Sequence, residues 1–158
     1  MTFRAVELPD DVPGSLWLSS MPGRFSPWSQ FEEDARRARL ALVVCLTPGS
    51  EIQELSPRYA AAVSSGGAAY EWLHLPMPNF GVPEDPQAFR LGVARITQTL
   101  SKGQAVMMHC AAGLGRTGSA AACVLKALGL ETDDALQRVR DAGSNPQNAQ
   151  QSGFVEWF

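Results

Sequence analysis

The segment LALVVCLT, residues 40–47, restricts the fold more than any other feature, because it holds no charge and is rich in branched apolar side chains. A strand with one wet face alternates apolar and polar positions, whereas an unbroken apolar run suits a strand covered on both faces. Such a strand sits centrally in a sheet with helices on each side. Residues 16–19, 70–75 and 104–109 read as further short strands.

The stretches between them read as helices. Ser26 and Pro27 form an N-cap and first-turn pair for a helix to about Arg39, with Trp28, Phe31, Ala35 and Ala38 as its buried stripe. Residues 51–64 make a weaker helix interrupted by Pro57. Asp85 and Pro86 start a helix whose Phe89, Val93, Ile96 and Leu100 share one face, and Lys102 and Gly103 end it. An alanine-rich helix carries Val124, Leu125 and Leu128; Thr132 caps the next, with Asp133 and Asp134 in its first turn, and Asn145 and Pro146 open the last. The alternation predicts an α/β fold: one domain over residues 1–158, with a mainly parallel sheet of about four to five strands flanked by helices.

Composition narrows the function. A net charge of -3 offers no basic surplus for a nucleic acid. The chain opens without a basic segment followed by an apolar one, and no run reaches the ~20 apolar residues of a spanning helix, so a cytoplasmic protein without membrane contact is expected. Cys45, Cys110 and Cys123 fit neither a disulfide framework nor paired metal-ligand spacing, so neither metal nor other cofactor is expected. No apolar run is left without a core role, which predicts a monomer.

The chemistry concentrates in HCAAGLGRTG, residues 109–118, a cysteine between a buried strand and a helix. Amide N–H groups of such a turn and of the helix start aim at whatever lies beyond them, which binds an anion and favours thiolate over thiol at Cys110. Gly113 and Gly115 permit a tight cradle around one tetrahedral anion, built from His109, Ala111, Ala112, Gly113, Leu114, Gly115 and Arg116. Arg116, a cation at a helix N-terminus, opposes the helix dipole unless a bound dianion compensates and takes its two-pronged hydrogen bonds. Thr117 places a hydroxyl near the sulfur.

A His-Cys pair, five residues, Arg, then Thr resembles the signature of the cysteine-dependent protein tyrosine and dual-specificity phosphatases, in particular their small archaeal and bacterial members. The resemblance implies a phosphatase fold and a two-step reaction on a phosphorylated protein or a small phosphomonoester. In it Cys110 attacks phosphorus, the cradle and Arg116 hold the charge, His109 supports the cradle, and Thr117 helps the thiolate depart. It further implies that Gln151, near the end, positions the hydrolytic water, against a solvated polar face shared with Gln147, Asn148 and Gln150. Cys45, on the neighbouring strand, is implied as a cysteine that captures an oxidised Cys110, against an inert core thiol. A cradle of Ala, Gly and Leu without lysine disfavours highly charged inositol phosphates and favours phosphotyrosine, with phosphoserine or phosphothreonine also open.

The sequence departs from the family at Asn79, in PMPNFGVPEDPQAF, where the general-acid aspartate is expected. An amide cannot donate that proton. Three readings stand: an alternative acid at Glu84 or Asp85, of which Asp85 also reads as an N-cap; a phosphatase limited to good leaving groups; or an engineered, substrate-trapping change. A non-catalytic phosphoprotein-binding module is the competing class. Arg36, Arg37 and Arg39 form a basic run that either docks a phosphoprotein or is simply solvated.

Overall fold

The computed structural model describes residues 1–158. Its strands are β1 (Arg4–Val6), β2 (Ser15–Ser19), β3 (Leu40–Cys45), β4 (Glu71–His74) and β5 (Ala105–His109), and its helices are α1 (Trp28–Ala38), α2 (Gly49–Leu55), α3 (Pro57–Ser65), α4 (Pro86–Ser101), α5 (Gly115–Ala127), α6 (Thr132–Asp141) and α7 (Ala149–Trp157). The strands form one sheet in the order β1-β2-β5-β3-β4. All pairings are parallel except that of β1 with β2.

Residues 40–47 deliver the doubly covered strand. Leu42 and Val44 enter the larger core with Val106 and Met108, while Val43 faces the other way with Met107, against Phe31 and Phe3. Leu40 shares the face of Val43, against simple alternation, because the register slips between Leu40 and Leu42. The first face is covered by α4 to α7 and the second by α1 to α3. Helix α5 is buried over nearly its whole surface, and Gly118 permits this, since a Cβ there would lie 2.6 Å from the backbone nitrogen of Asn145.

Several element ends differ from the sequence reading. Strand β1 was not expected; its three residues are too short to show a period, and pairing with β2 makes it a strand. Pro57 divides the expected weak helix into α2 and α3, sitting at the start of the second. Pro27, not Ser26, occupies the cap of α1, and Glu131, not Thr132, that of α6, both without a side-chain capping bond. The last helix begins beyond Asn145 and Pro146, with Asn148 accepting from the Gln151 N–H at 2.9 Å. Asn145 is spent elsewhere, accepting from Arg140 and donating to the Pro146 carbonyl. Asp85 caps α4 as expected, accepting from the Ala88 N–H at 3.0 Å.

Candidate active site

The parallel strands end in register, with Cys45 level with His109 on one side and His74 on the other, and Ser19 level with His109 across β2. The turn that follows β5 thus opens at the carboxyl edge of the sheet, where α/β folds place their ligands.

The shape of residues 110–116 follows from where their carbonyls go. The Ala111 carbonyl accepts from the Met21 N–H at 3.2 Å. The Gly113 carbonyl accepts from Arg4 Nη2 at 2.7 Å and Ser144 Oγ at 2.6 Å, and that of Leu114 from the Gly118 and Asn145 N–H groups. With these oxygens tied outward, the N–H groups of Ala111, Ala112, Leu114, Gly115 and Arg116 have no partner in the chain, while that of Gly113 donates to Cys110 Sγ at 3.2 Å. Gly113 takes φ +78°, and a Cβ there would meet the Ser19 carbonyl at 2.6 Å. Gly115 serves a different need from the one expected: its φ is not positive, and a Cβ would press on Gln151 Oε1 at 2.8 Å.

Arg116 is buried, and its donors are divided. Nη1 and Nη2 donate to the two oxygens of Glu51 at 2.8 Å each, and Nη1 also donates to the Met77 carbonyl at 3.2 Å. A guanidinium has five N–H donors. The end-on fork and Met77 use three, which leaves Nε–H and the outer Nη2–H, a second parallel fork, without a partner. Burial works against the charge of Arg116, but Glu51 and Cys110 outweigh it and raise its pKa above the ordinary value. Nothing in the sequence marked Glu51, because its role depends on α2 carrying it to the cradle from 65 residues away.

His109 is fully buried. Its Nδ1 lies 3.1 Å from the Cys110 carbonyl, which can only accept, so Nδ1 carries the proton and Nε2 accepts from the Tyr59 hydroxyl at 2.6 Å. Trp72 Nε1 donates to Tyr59 at 2.8 Å and completes the chain. Burial, with Arg116 and His74 adding to it, pushes the His109 pKa down to about 4 against its bond to Cys110. The imidazole is therefore neutral near pH 7. Thr117 Oγ1 is buried with no hydrogen bond, a free hydroxyl at the start of α5.

Cys110, Arg116, Asn79, Phe80, Glu51, Gln147 and Gln151 line one cavity of about 340 Å³. Glu84 is not among them. A turn closed by the Gly81 N–H to the Pro78 carbonyl, with Phe80 at φ +59°, carries the chain away, and Glu84 lines another cavity with His74 and Asp85. Gln151 belongs to the site but is no solvated residue: it is fully buried, donates to the Gly81 carbonyl at 3.1 Å and accepts from the Gln147 N–H at 2.8 Å. Asn148 donates to the Phe80 carbonyl at 2.7 Å. The start of α7 thus holds the Asn79 loop over the cradle.

A family model described as "PTP-SAK: Swiss Army Knife protein, DSP-PTPase phosphatase domain" matches residues 12–152. The chain belongs to this family. A Cupriavidus necator protein, provisionally named a tyrosine-protein phosphatase, is 40% identical over 65 residues, which are 41% of this chain and 23% of that relative's length. Among solved structures, a kinase associated phosphatase with its catalytic cysteine changed to serine superposes with a TM-score of 0.84, at 18% identity over 97% of this chain and 90% of that one. The active form of Tk-PTP gives a TM-score of 0.71 at 24% identity, over 98% and 95% of the two chains. A human tyrosine phosphatase-like serine/threonine/tyrosine-interacting protein gives 0.70 at 18% identity, over 97% and 93%. These likenesses show that the DSP-PTPase domain here has the fold of known phosphatases. No helix is long and apolar enough to cross a membrane.

Proposed function

We propose that the chain hydrolyses phosphotyrosine in proteins through a phosphocysteine at Cys110. The observation that carries this reading is the pairing of unpartnered cradle amides with the vacant second fork of Arg116, all around Cys110 Sγ. The amides and that fork hold the three non-bridging oxygens, and Glu51 keeps the guanidinium in plane. The Cys110 thiolate forms a bond to phosphorus as the bond to the ester oxygen breaks. Water then attacks phosphorus and the P–S bond breaks, with Thr117 Oγ1 donating a hydrogen bond to the departing sulfur.

Asn79 stands over this cavity where an acid would protonate the ester oxygen. With Glu84 turned away and Glu51 tied to Arg116, no free carboxyl lines the site, so the leaving oxygen departs as an anion or takes its proton from solvent. Esters with acidic leaving groups are therefore favoured. The same residue supports a second reading, a phosphoprotein-binding domain that holds its ligand without turnover.

The test compares p-nitrophenyl phosphate, phenyl phosphate and a phosphotyrosine peptide on the protein, Asn79→Asp and Cys110→Ser. The reading requires that the nitrophenyl ester turn over, that Asn79→Asp raise the other two by roughly 100-fold or more, and that Cys110→Ser be inert. Tight peptide binding with no turnover in any form would favour the binding domain.

A further inference from the structure

A cavity of about 660 Å³, larger than the catalytic one, lies apart from it. It lies between α1 and α3, toward the amino ends of β3 and β4, with Leu40 and Tyr70 on its wall. Trp28 and Phe31 give it an apolar floor, and Arg36, Arg39 and Arg58 line it together with a single acid, Glu32. The three arginines are exposed and none has a carboxylate within ion-pair distance, although neighbouring Arg37 pairs with Glu33. In a chain of net charge -3, this is a local concentration of free positive charge.

At two points the chain passes from the catalytic mouth to this groove within three or four residues. Arg24 lines the catalytic mouth and Trp28, four residues on at the start of α1, lines the groove; Leu55 lines the mouth and Arg58, three residues on in α3, the groove. Arg58 lies over the Trp28 ring at 5.1 Å, which holds one cation against the groove's apolar floor. From Trp28 to Arg39 the helix rises ~16 Å, the span of about five extended residues.

We propose that this groove seats an acidic stretch of the phosphoprotein substrate, close in sequence to the phosphorylated residue, an inference that rests on the phosphatase reading. Charge complementarity and the short chain distance between groove and catalytic mouth select this occupant. The apolar floor takes the peptide's backbone and aliphatic stems, while Arg58, Arg36 and Arg39 meet successive carboxylates.

The test uses phosphotyrosine peptides carrying a glutamate tract on either side, each matched by a glutamine tract. They are assayed on the whole protein and on Arg36→Gln/Arg39→Asn/Arg58→Gln, in which Asn tolerates the left-handed backbone of position 39. The expected result is roughly a 10-fold preference in kcat/KM for one glutamate peptide, lost in the triple variant and in about 0.5 M salt, with p-nitrophenyl phosphate turnover unchanged. Arg36→Gln alone, on the exposed face of α1, loses part of the preference and serves if the triple variant unfolds. Equal rates on glutamate and glutamine peptides, or a preference that survives the substitutions, would overturn the proposal. If no ester is hydrolysed, the phosphatase reading fails, and fluorescence anisotropy with the unphosphorylated glutamate peptide still decides the groove: salt-sensitive binding lost in the variants supports it, and absence of binding rejects it.

Discussion

Acidification from pH 7 to pH 5 should remove about 2 kcal/mol of stability through His109 alone. Its pKa is about 4 in the fold against an ordinary 6.5. Between those values the unfolded chain binds a proton that the folded chain refuses, so stability is complete above about pH 6.5 and falls as the pH drops toward 4. The ratio of the two binding polynomials at pH 5 gives the figure of about 2 kcal/mol, rising to about 3 kcal/mol at pH 4. The Asp34 carboxyl does not contribute in this window. Burial opposes its ionisation, but hydrogen bonds from Thr2 and Gln30 outweigh that and hold its pKa below 3.8, so its share is lost only at lower pH. Urea titrations of the protein and His109→Asn isolate the effect, because the variant keeps every other titrating group. At an m-value of about 2 kcal/mol/M, the midpoint of the protein should fall by about 1 M more than that of the variant. Equal losses in the two would refute the neutral, buried imidazole and the hydrogen-bond chain through Tyr59 and Trp72.

Glu51→Gln leaves Arg116 without its end-on carboxylate; KM for p-nitrophenyl phosphate and the inhibition constant for inorganic phosphate should both rise about 10-fold, measured by steady-state kinetics. Asn148→Ala removes the bond to the Phe80 carbonyl and frees the loop, so kcat/KM for phosphopeptide should fall several-fold more than that for p-nitrophenyl phosphate, which relies less on the loop, while the thermal midpoint moves little. Mild peroxide should yield a Cys45–Cys110 disulfide if Cys45 captures the oxidised nucleophile, and peptide mass mapping that finds only sulfinic acid at Cys110 would make Cys45 an inert core thiol.

The sheet was legible because residues 40–46 and 105–108 carry uninterrupted apolar runs, and the cradle because its cysteine, glycines and arginine lie within ten consecutive positions. What remained hidden depends on contacts between distant segments. Arg4 and Ser144 clamp the Gly113 carbonyl across 109 and 31 residues, and Tyr59 reaches His109 across 50. Gln151 reads as one of several glutamines in a polar stretch, and only the fold shows that it alone of them is buried, against the Asn79 loop. Glu84 looked available because it is near Asn79 in the chain, but the turn at Phe80 and Gly81 separates the two in space.

Trapping the covalent state gives the most direct test of the account. In the proposed mechanism an amide at position 79 can neither protonate the leaving oxygen nor take a proton from the attacking water, so the second step is slowed and phosphocysteine should accumulate. Rapid mixing with p-nitrophenyl phosphate should release a burst of about one nitrophenolate per protein, and acid-quenched protein should carry one phosphoryl group, mapped to Cys110. A phosphoryl group mapped to another residue, or nitrophenolate release that persists in Cys110→Ser, would contradict Cys110 as the nucleophile.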